Sequence, residues 1–173
     1  MVAGAIVLHR TDLTVAIDDS KSLSPRDREA AYRALLPVAD IGIGFAGPEE
    51  IDRIGIHAAT GLAMLRAFRR LPRFPTLALI DGPWIPAGFP IPALPIVDGD
   101  AKSLSIACAS IVAKVVRDRG MVLAHRIHPE YGFLRHKGYG TPEHLAALRA
   151  IGPSLVHRFS FRPIRAVSEL MSR

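Results

Sequence analysis

The sequence predicts an α/β sandwich, and three observations carry that prediction. Short apolar runs at 2–8, 41–47, 76–82 and 94–100 alternate with longer segments of helical period. Proline, glycine and aspartate punctuate the joins. With 173 residues and a hydrophobic share of 49%, the chain has the size for one domain with a substantial core.

MVAGAIVLHR carries no charge before Arg10 and reads as a strand over 2–8. That is an unusual opening, because chain ends are commonly polar and frayed. In DDSKSLSPRDREAAYRALLPV, Ser24 offers an N-cap hydroxyl and Pro25 a first helical residue, so a helix is predicted to about Leu36, stopped by Pro37. IGIGFAG alternates Ile with Gly, the pattern of a strand crowded against a neighbour. PEEIDRIGIHAATGLAMLRAFRRL opens with Pro48 and two acids, and Ile51, Ile54, Ala58, Leu62 and Leu65 recur at helical spacing.

TLALIDG and LPIVDGD read as buried strands ending at Asp81-Gly82 and at Asp98-Gly99-Asp100, linked by the proline-rich PWIPAGFPIP. A helix follows, with Leu104, Cys108, Ile111, Val112, Val115 and Val116 as its apolar stripe. HPEYGFLRHKGYGTPEH (128–144) reads as a polar, glycine-rich loop, HLAALRAI as a short helix ending at Gly152, and the basic tail as a final helix. There is no internal repeat and no low-complexity segment.

No run approaches the roughly 18–20 apolar residues of a membrane span. The opening run lacks the basic flank of a signal peptide. Cys108 is the only cysteine, which excludes an internal disulfide and fits a reducing cytoplasm. The net charge of +6 is unevenly placed: residues 1–100 hold 10 Lys/Arg against 12 Asp/Glu, and residues 101–173 hold 12 against 4. A basic second half points to a polyanion such as nucleic acid, with a merely solvated basic surface as the alternative.

Asp81 and Asp100 each stand where a buried strand gives way to a loop, the usual place for ligands in open α/β sheets. Converging there, two carboxylates suit Mg²⁺ or Mn²⁺, hard cations that take oxygen ligands. The alternative is an Asp-Gly turn, with Asp100 capping the next helix. Asp118 is a third acidic candidate, against an ordinary helical ion pair with Lys114. Histidines 125, 128, 136, 144 and 157 raise zinc, but His125-x-x-His128 is a weak spacing with no cysteine nearby. Cys108, among small apolar neighbours, reads as a buried structural thiol. The loop YGFLRHKGYGT mixes Tyr131, Phe133 and Tyr139 with Arg135, His136 and Lys137. That mixture suits phosphates and stacked bases or sugars, or else a surface loop pinned by aromatic packing.

DSKSLSPRDREAAY, EEIDRIGIHAATGLAM, LIDG, DGDAKSLSIACASIVAKVVRDRGM, YGFLRHKGYGTPEHLAAL and HRFSF occur in the order found in bacterial ribonuclease HII, the type 2 ribonuclease H. The chain resembles that family over nearly its whole length, most specifically from Asp100 to Met121 and in HKGYGT. The resemblance implies a single ribonuclease H-like domain over 1–173, a mixed five-stranded sheet flanked by helices, with a basic helical C-terminal part from about 120. It implies a cytoplasmic endonuclease, expected as a monomer with no membrane partner. Such an enzyme cuts the RNA strand of RNA/DNA hybrids, and DNA duplexes on the 5′ side of embedded ribonucleotides.

In the family four carboxylates hold two divalent ions, Mg²⁺ or Mn²⁺. Asp81 and Asp100 match the third and fourth of these, and Asp118 matches a supporting aspartate. Tyr139 matches the tyrosine that packs on the ribose bearing the 2′-hydroxyl. Lys137 in the same loop is a further substrate-binding candidate. Ser20 and Lys21 match a segment near the substrate phosphates, where Ser22 replaces a second lysine. Gly55 stands where the family has asparagine, with an expected helix cost of up to ~1 kcal/mol.

MVAGAIVL aligns with the family's second strand. The first strand, carrying Asp-Glu-Ala-Gly-Arg-Gly, is therefore expected to be absent from this chain, together with two metal ligands and a turn that reads the 2′-hydroxyl. Three readings stay open: a start assigned too late, with Met1 at a family valine; an inactive remnant that binds nucleic acid without cutting it; or ligands supplied by another chain.

Overall fold

The structure, a computed structural model, describes residues 1–13, 15, 17 and 22–171. In chain order its elements are β1 (Val2–Leu8), α1 (Pro25–Leu35), β2 (Ala39–Phe45), α2 (Pro48–Arg69), β3 (Ala78–Asp81), β4 (Ala93–Ile96), α3 (Gly99–Lys102), α4 (Leu104–Ile127), a 3-10 turn (Pro129–Tyr131), α5 (Phe133–His136), α6 (Pro142–Ile151) and α7 (Arg162–Met171). The fold class is the predicted one, α/β with helices flanking short strands, which pair two by two, one pair antiparallel and one parallel. The chain divides into two compact units. A sheet unit takes Val2–Ala46 and Thr60–Val116, and a helical unit takes Met1, Gly47–Ala59 and Arg117–Arg173.

In the sheet unit β1 runs antiparallel to β2, with Val2 opposite Phe45 and Leu8 opposite Ala39. The Ile/Gly alternation in β2 has the crowding it predicted. A Cβ at Gly42 would stand 2.1 Å from the Ala67 carbonyl oxygen, and one at Gly44 would stand 1.9 Å from that of Ala63, so this face lies directly on the α2 backbone. On the opposite face Ile6, Leu8, Ile41 and Ile43 pack against Leu35, Cys108 and Val112 of α1 and α4. Ser24 caps α1 as expected, its hydroxyl accepting the Asp27 N–H at 3.2 Å.

β3 runs parallel to β4 as a second, separate pair. Among the described residues β1 has only β2 as a ladder partner, and β3 only β4. Between the two pairs lies a cavity of about 610 Å³. Every residue of β1 and β3 lines it, with Met64 and Phe68 from α2 and Ile106 and Ala109 from α4.

Three local expectations are corrected. Gly55, with φ 79° and ψ 158°, interrupts α2 outright, so two helices meet at a kink and no helix-interior penalty applies there. β4 ends at Ile96, Asp98 turns left-handed at φ 53°, and Asp100 sits in the short α3 rather than at a strand end. The segment 128–144 holds a 3-10 turn, α5 and the start of α6 rather than open loop.

The helical unit has its own core of Tyr131, Phe133, Leu148, Ile164 and Val167. Asp52 ties its two chain segments together, accepting the Phe159 N–H at 2.7 Å and the Ser160 N–H at 2.9 Å. No described helix is long and apolar enough to cross a membrane.

Candidate functional site

Asp81 is the last residue of β3, and its Oδ1 accepts the N–H of Gly99 at 3.0 Å. A side chain at position 99 would meet Ile106 Cδ1 at 2.6 Å and Asp81 Oδ1 at 3.1 Å, so glycine is what lets the carboxylate seat on this turn. Asp100 follows directly, in the first turn of α3. The N-cap position of α3 belongs to Asp98, which makes no side-chain cap hydrogen bond. Asp100 is therefore not the helix cap that the local reading offered as an alternative. The turn is closed by Ser103 N–H on the Gly99 carbonyl at 2.9 Å and by Lys102 Nζ on the Val97 carbonyl at 2.7 Å.

The structure thus brings Asp81 and the Gly99–Asp100 turn together within the sheet unit. Asp81 also lines the large cavity, while Asp100 lines a hollow of about 260 Å³ with Lys102 and Ser103. The donor chemistry fits a hard divalent cation, which is commonly held by one or two carboxylates and completed by water and phosphate oxygens. Among the described residues no third His, Cys, Asp or Glu joins the pair.

Asp118, Lys137 and Tyr139 lie in the helical unit and gather around Arg117. Arg117 Nη1 donates to Asp118 Oδ1 at 3.3 Å, and its Nη2 donates to the Lys137 carbonyl at 3.0 Å. The guanidinium lies over the Tyr139 ring, 4.7 Å from its centroid. Lys137 takes a left-handed conformation at φ 50°, and its ammonium bonds the Leu134 carbonyl. Tyr139 is 54% exposed, whereas Tyr131 and Phe133 are buried core residues. Aromatic packing thus accounts for two of the loop's aromatics and not for the third. Ser20 and Lys21 lie outside the described residues.

Sequence reasoning missed a buried histidine chain in the same unit. His157 Nδ1 accepts the Ser154 N–H at 3.0 Å, which places its proton on Nε2. His157 Nε2 then donates to His144 Nε2 at 3.1 Å, and His144 Nδ1 donates to the Tyr139 carbonyl at 3.0 Å. His136 stacks on His144 with ring centroids 4.5 Å apart. Burial pushes the pKa of His144 down and that of His157 to about 4. Burial likewise raises the Cys108 thiol to about 11, which makes it the inert structural thiol expected.

The family model described as Ribonuclease HII matches residues 1–164. Ribonuclease HII of Chlamydia trachomatis serovar A is 47% identical over 167 residues, which are 95% of this chain and 76% of that protein. Among solved structures, the ribonuclease H2 of Pyrococcus horikoshii OT3 is similar with a TM-score of 0.75 at 20% identity, over 100% of both chains. Bst-RNase HIII in complex with Mn²⁺ is similar with a TM-score of 0.69 at 18% identity, over 89% of this chain and 58% of that one. At those identities the structural likeness speaks for the fold.

Proposed function

The chain belongs to the ribonuclease HII family, and from that premise we propose that its reaction is divalent-metal-dependent hydrolysis on the 5′ side of ribonucleotides, in RNA/DNA hybrids and in DNA duplexes carrying single ribonucleotides. The observation that carries this reading is the Asp81–Gly99 hydrogen bond, which sets one carboxylate against the turn that bears the other. Asp81 and Asp100 are the proposed ligands. Mg²⁺ or Mn²⁺ held there supplies Lewis-acid stabilisation at phosphorus and a lowered pKa for water. The Mn²⁺ complex of the Bst enzyme, a property of that protein, supports the choice of ion class.

The remaining roles fall to residues that meet the nucleic acid. Tyr139, exposed and held through Arg117, is proposed to pack on the ribose, whose 2′-hydroxyl separates RNA from DNA. Lys137, Ser20 and Lys21 are proposed to meet phosphates, and Asp118 to play a supporting part through its pair with Arg117. The 12 basic against 4 acidic residues beyond position 100 provide sequence-independent attraction to the backbone. During hydrolysis the water oxygen bonds to phosphorus as the P–O3′ bond breaks, leaving a 3′-hydroxyl and a 5′-phosphate.

A second reading, binding without cleavage, rests on the two carboxylates standing where the family uses four. One assay separates the two readings. A labelled DNA duplex with a single ribonucleotide and a labelled RNA/DNA hybrid are incubated with the chain in Mg²⁺ or Mn²⁺. Cleavage 5′ of the ribonucleotide, lost in Asp81→Asn and in Asp100→Asn, supports the enzyme. Binding of both duplexes with no cleavage in either ion, by this chain and by one extended upstream through its native in-frame codons, supports the remnant.

A further inference from the structure

One guanidinium in the helical unit serves three partners at once. Arg117, from α4, donates to Asp118 Oδ1 at 3.3 Å and to the Lys137 carbonyl at 3.0 Å, and lies 4.7 Å from the centre of the Tyr139 ring. A planar fork can meet a carboxylate, a carbonyl and an aromatic face together, and an ammonium cannot.

The turn that Arg117 grips is unusual. Lys137 at φ 50° and Gly138 at φ 78° are both left-handed, a conformation L side chains rarely adopt. The Tyr139 backbone is fixed as well. Its N–H donates to the His136 carbonyl at 2.9 Å, and its carbonyl accepts from His144 Nδ1 at 3.0 Å. The ring itself remains 54% exposed. A half-exposed aromatic ring with a fixed backbone and a cation on one face is prearranged for stacking, which lowers the ordering cost of binding.

We propose that Arg117 is the positioning residue for Tyr139: by covering one face of the ring and holding the Lys137 carbonyl, it orients the ring toward the ribose. This rests on the ribose reading of Tyr139 given above. Arg117 acts through the tyrosine and need not touch the substrate itself.

The test uses the 173-residue chain without divalent ions, so that nothing is cut. Fluorescence anisotropy gives its affinity for a DNA duplex with one ribonucleotide and for the same duplex in all-DNA form. Phosphate-driven attraction is common to both duplexes and cancels in their ratio. Arg117→Lys and Arg117→Met are expected to reduce that ratio about three- to tenfold, the scale of a lost cation–π contact. In a Tyr139→Ala background they should reduce it no further.

If Tyr139→Ala removes the preference while both Arg117 variants keep it, the positioning role is overturned and the ribose reading stands. If Tyr139→Ala leaves the ratio unchanged, the ribose reading falls and takes the proposal with it. Nuclear magnetic resonance supplies a readout that needs neither duplex nor variant folding at Arg117. The Arg117 δ-methylene and Nε–H signals of the wild-type chain should show an upfield ring-current shift, removed by Tyr139→Ala and kept by Tyr139→Phe. Absence of that shift in the wild-type chain also overturns the proposal.

Discussion

The Nε2 atoms of His144 and His157 face each other at 3.1 Å, and a hydrogen bond across that distance needs one proton between them. A second proton there, on His144 Nε2, would set two N–H groups head to head in a buried site, and one added to His157 Nδ1 would face the Ser154 N–H. Burial, with a smaller contribution from the neighbouring His144 and His128, holds the pKa of His157 at about 4.

The sign follows from linkage. Between about pH 6.5, where an unfolded histidine titrates, and about pH 4, the unfolded chain binds the proton and the folded chain does not. Stability contributed by neutral His157 is therefore complete above pH 6.5 and lost as pH falls toward 4. By pH 5 the loss is about 2 kcal/mol from His157 alone, with His144 acting in the same direction. Chemical denaturation at pH 7.5 and at pH 5.0 should show this drop in the wild-type chain. His157→Gln should flatten it. An equal drop in that variant would place the acid sensitivity elsewhere.

Gly44 and Gly120 should respond to alanine with opposite signs. A Cβ at Gly44 meets the Ala63 backbone oxygen at 1.9 Å, so β2 has to lift from α2. Gly44→Ala is expected to cost at least about 3 kcal/mol, the upper range for overpacking. Gly120, inside α4, has nothing within 4 Å of its Cβ position. Gly120→Ala should stabilise by about 0.5–1 kcal/mol through helix propensity. Urea midpoints of the two variants check both statements.

These cases also mark where the sequence was legible. Ser24-Pro25 is a local signal, and the helix starts where it says. The Ile/Gly alternation of β2 announced a close neighbour, because an empty side-chain position is useful only against another backbone. Gly55 was different. The apolar spacing from Ile51 to Leu65 runs straight through it, and periodicity carries no information about φ. The Asp98-Gly99 turn was visible as turn chemistry, but the left-handed Asp98 that moves Asp100 into α3 was not. Arg117 and the histidine chain were missed because their partners are set by tertiary packing. Nothing in the spacing of His136, His144 and His157 tells which rings turn inward.

Asp81 and Asp100 should separate binding from folding. In Asp81→Asn the amide oxygen can still accept the Gly99 N–H, and Asp100→Asn keeps the size of the side chain at a position that is not the N-cap of α3. Both asparagine variants should therefore keep the wild-type stability to within about 1 kcal/mol. Calorimetric titration with Mn²⁺ should nonetheless show at least a tenfold loss of affinity in each, the effect of removing one of two charged oxygen donors. Unchanged Mn²⁺ affinity in both variants would assign the carboxylates to the turn alone.

The cavity beside β1 and β3 bears on activity through charge as well as packing. Two divalent ions about 4 Å apart repel by roughly 4 kcal/mol even at the dielectric constant of water. Asp81 and Asp100 offer two negative charges against four positive ones, and no third ligand joins them among the described residues. The cavity of about 610 Å³ is walled by two strands, each with one ladder partner among the described residues, and a further strand entering between them could pair with the free edge of each. Carboxylates on such a strand, at the Asp81 end, would supply the missing charge. A chain extended upstream by its native in-frame codons, about twenty to span one strand and its link, should therefore cleave a ribonucleotide-containing duplex in Mn²⁺. The 173-residue chain should be inactive or nearly so. The extension should also raise the thermal midpoint and abolish binding of an apolar dye to the cavity. Equal cleavage by the two chains would overturn this account. An extended chain whose upstream codons supply no pair of acids, and which binds duplexes without cutting them, would favour the remnant.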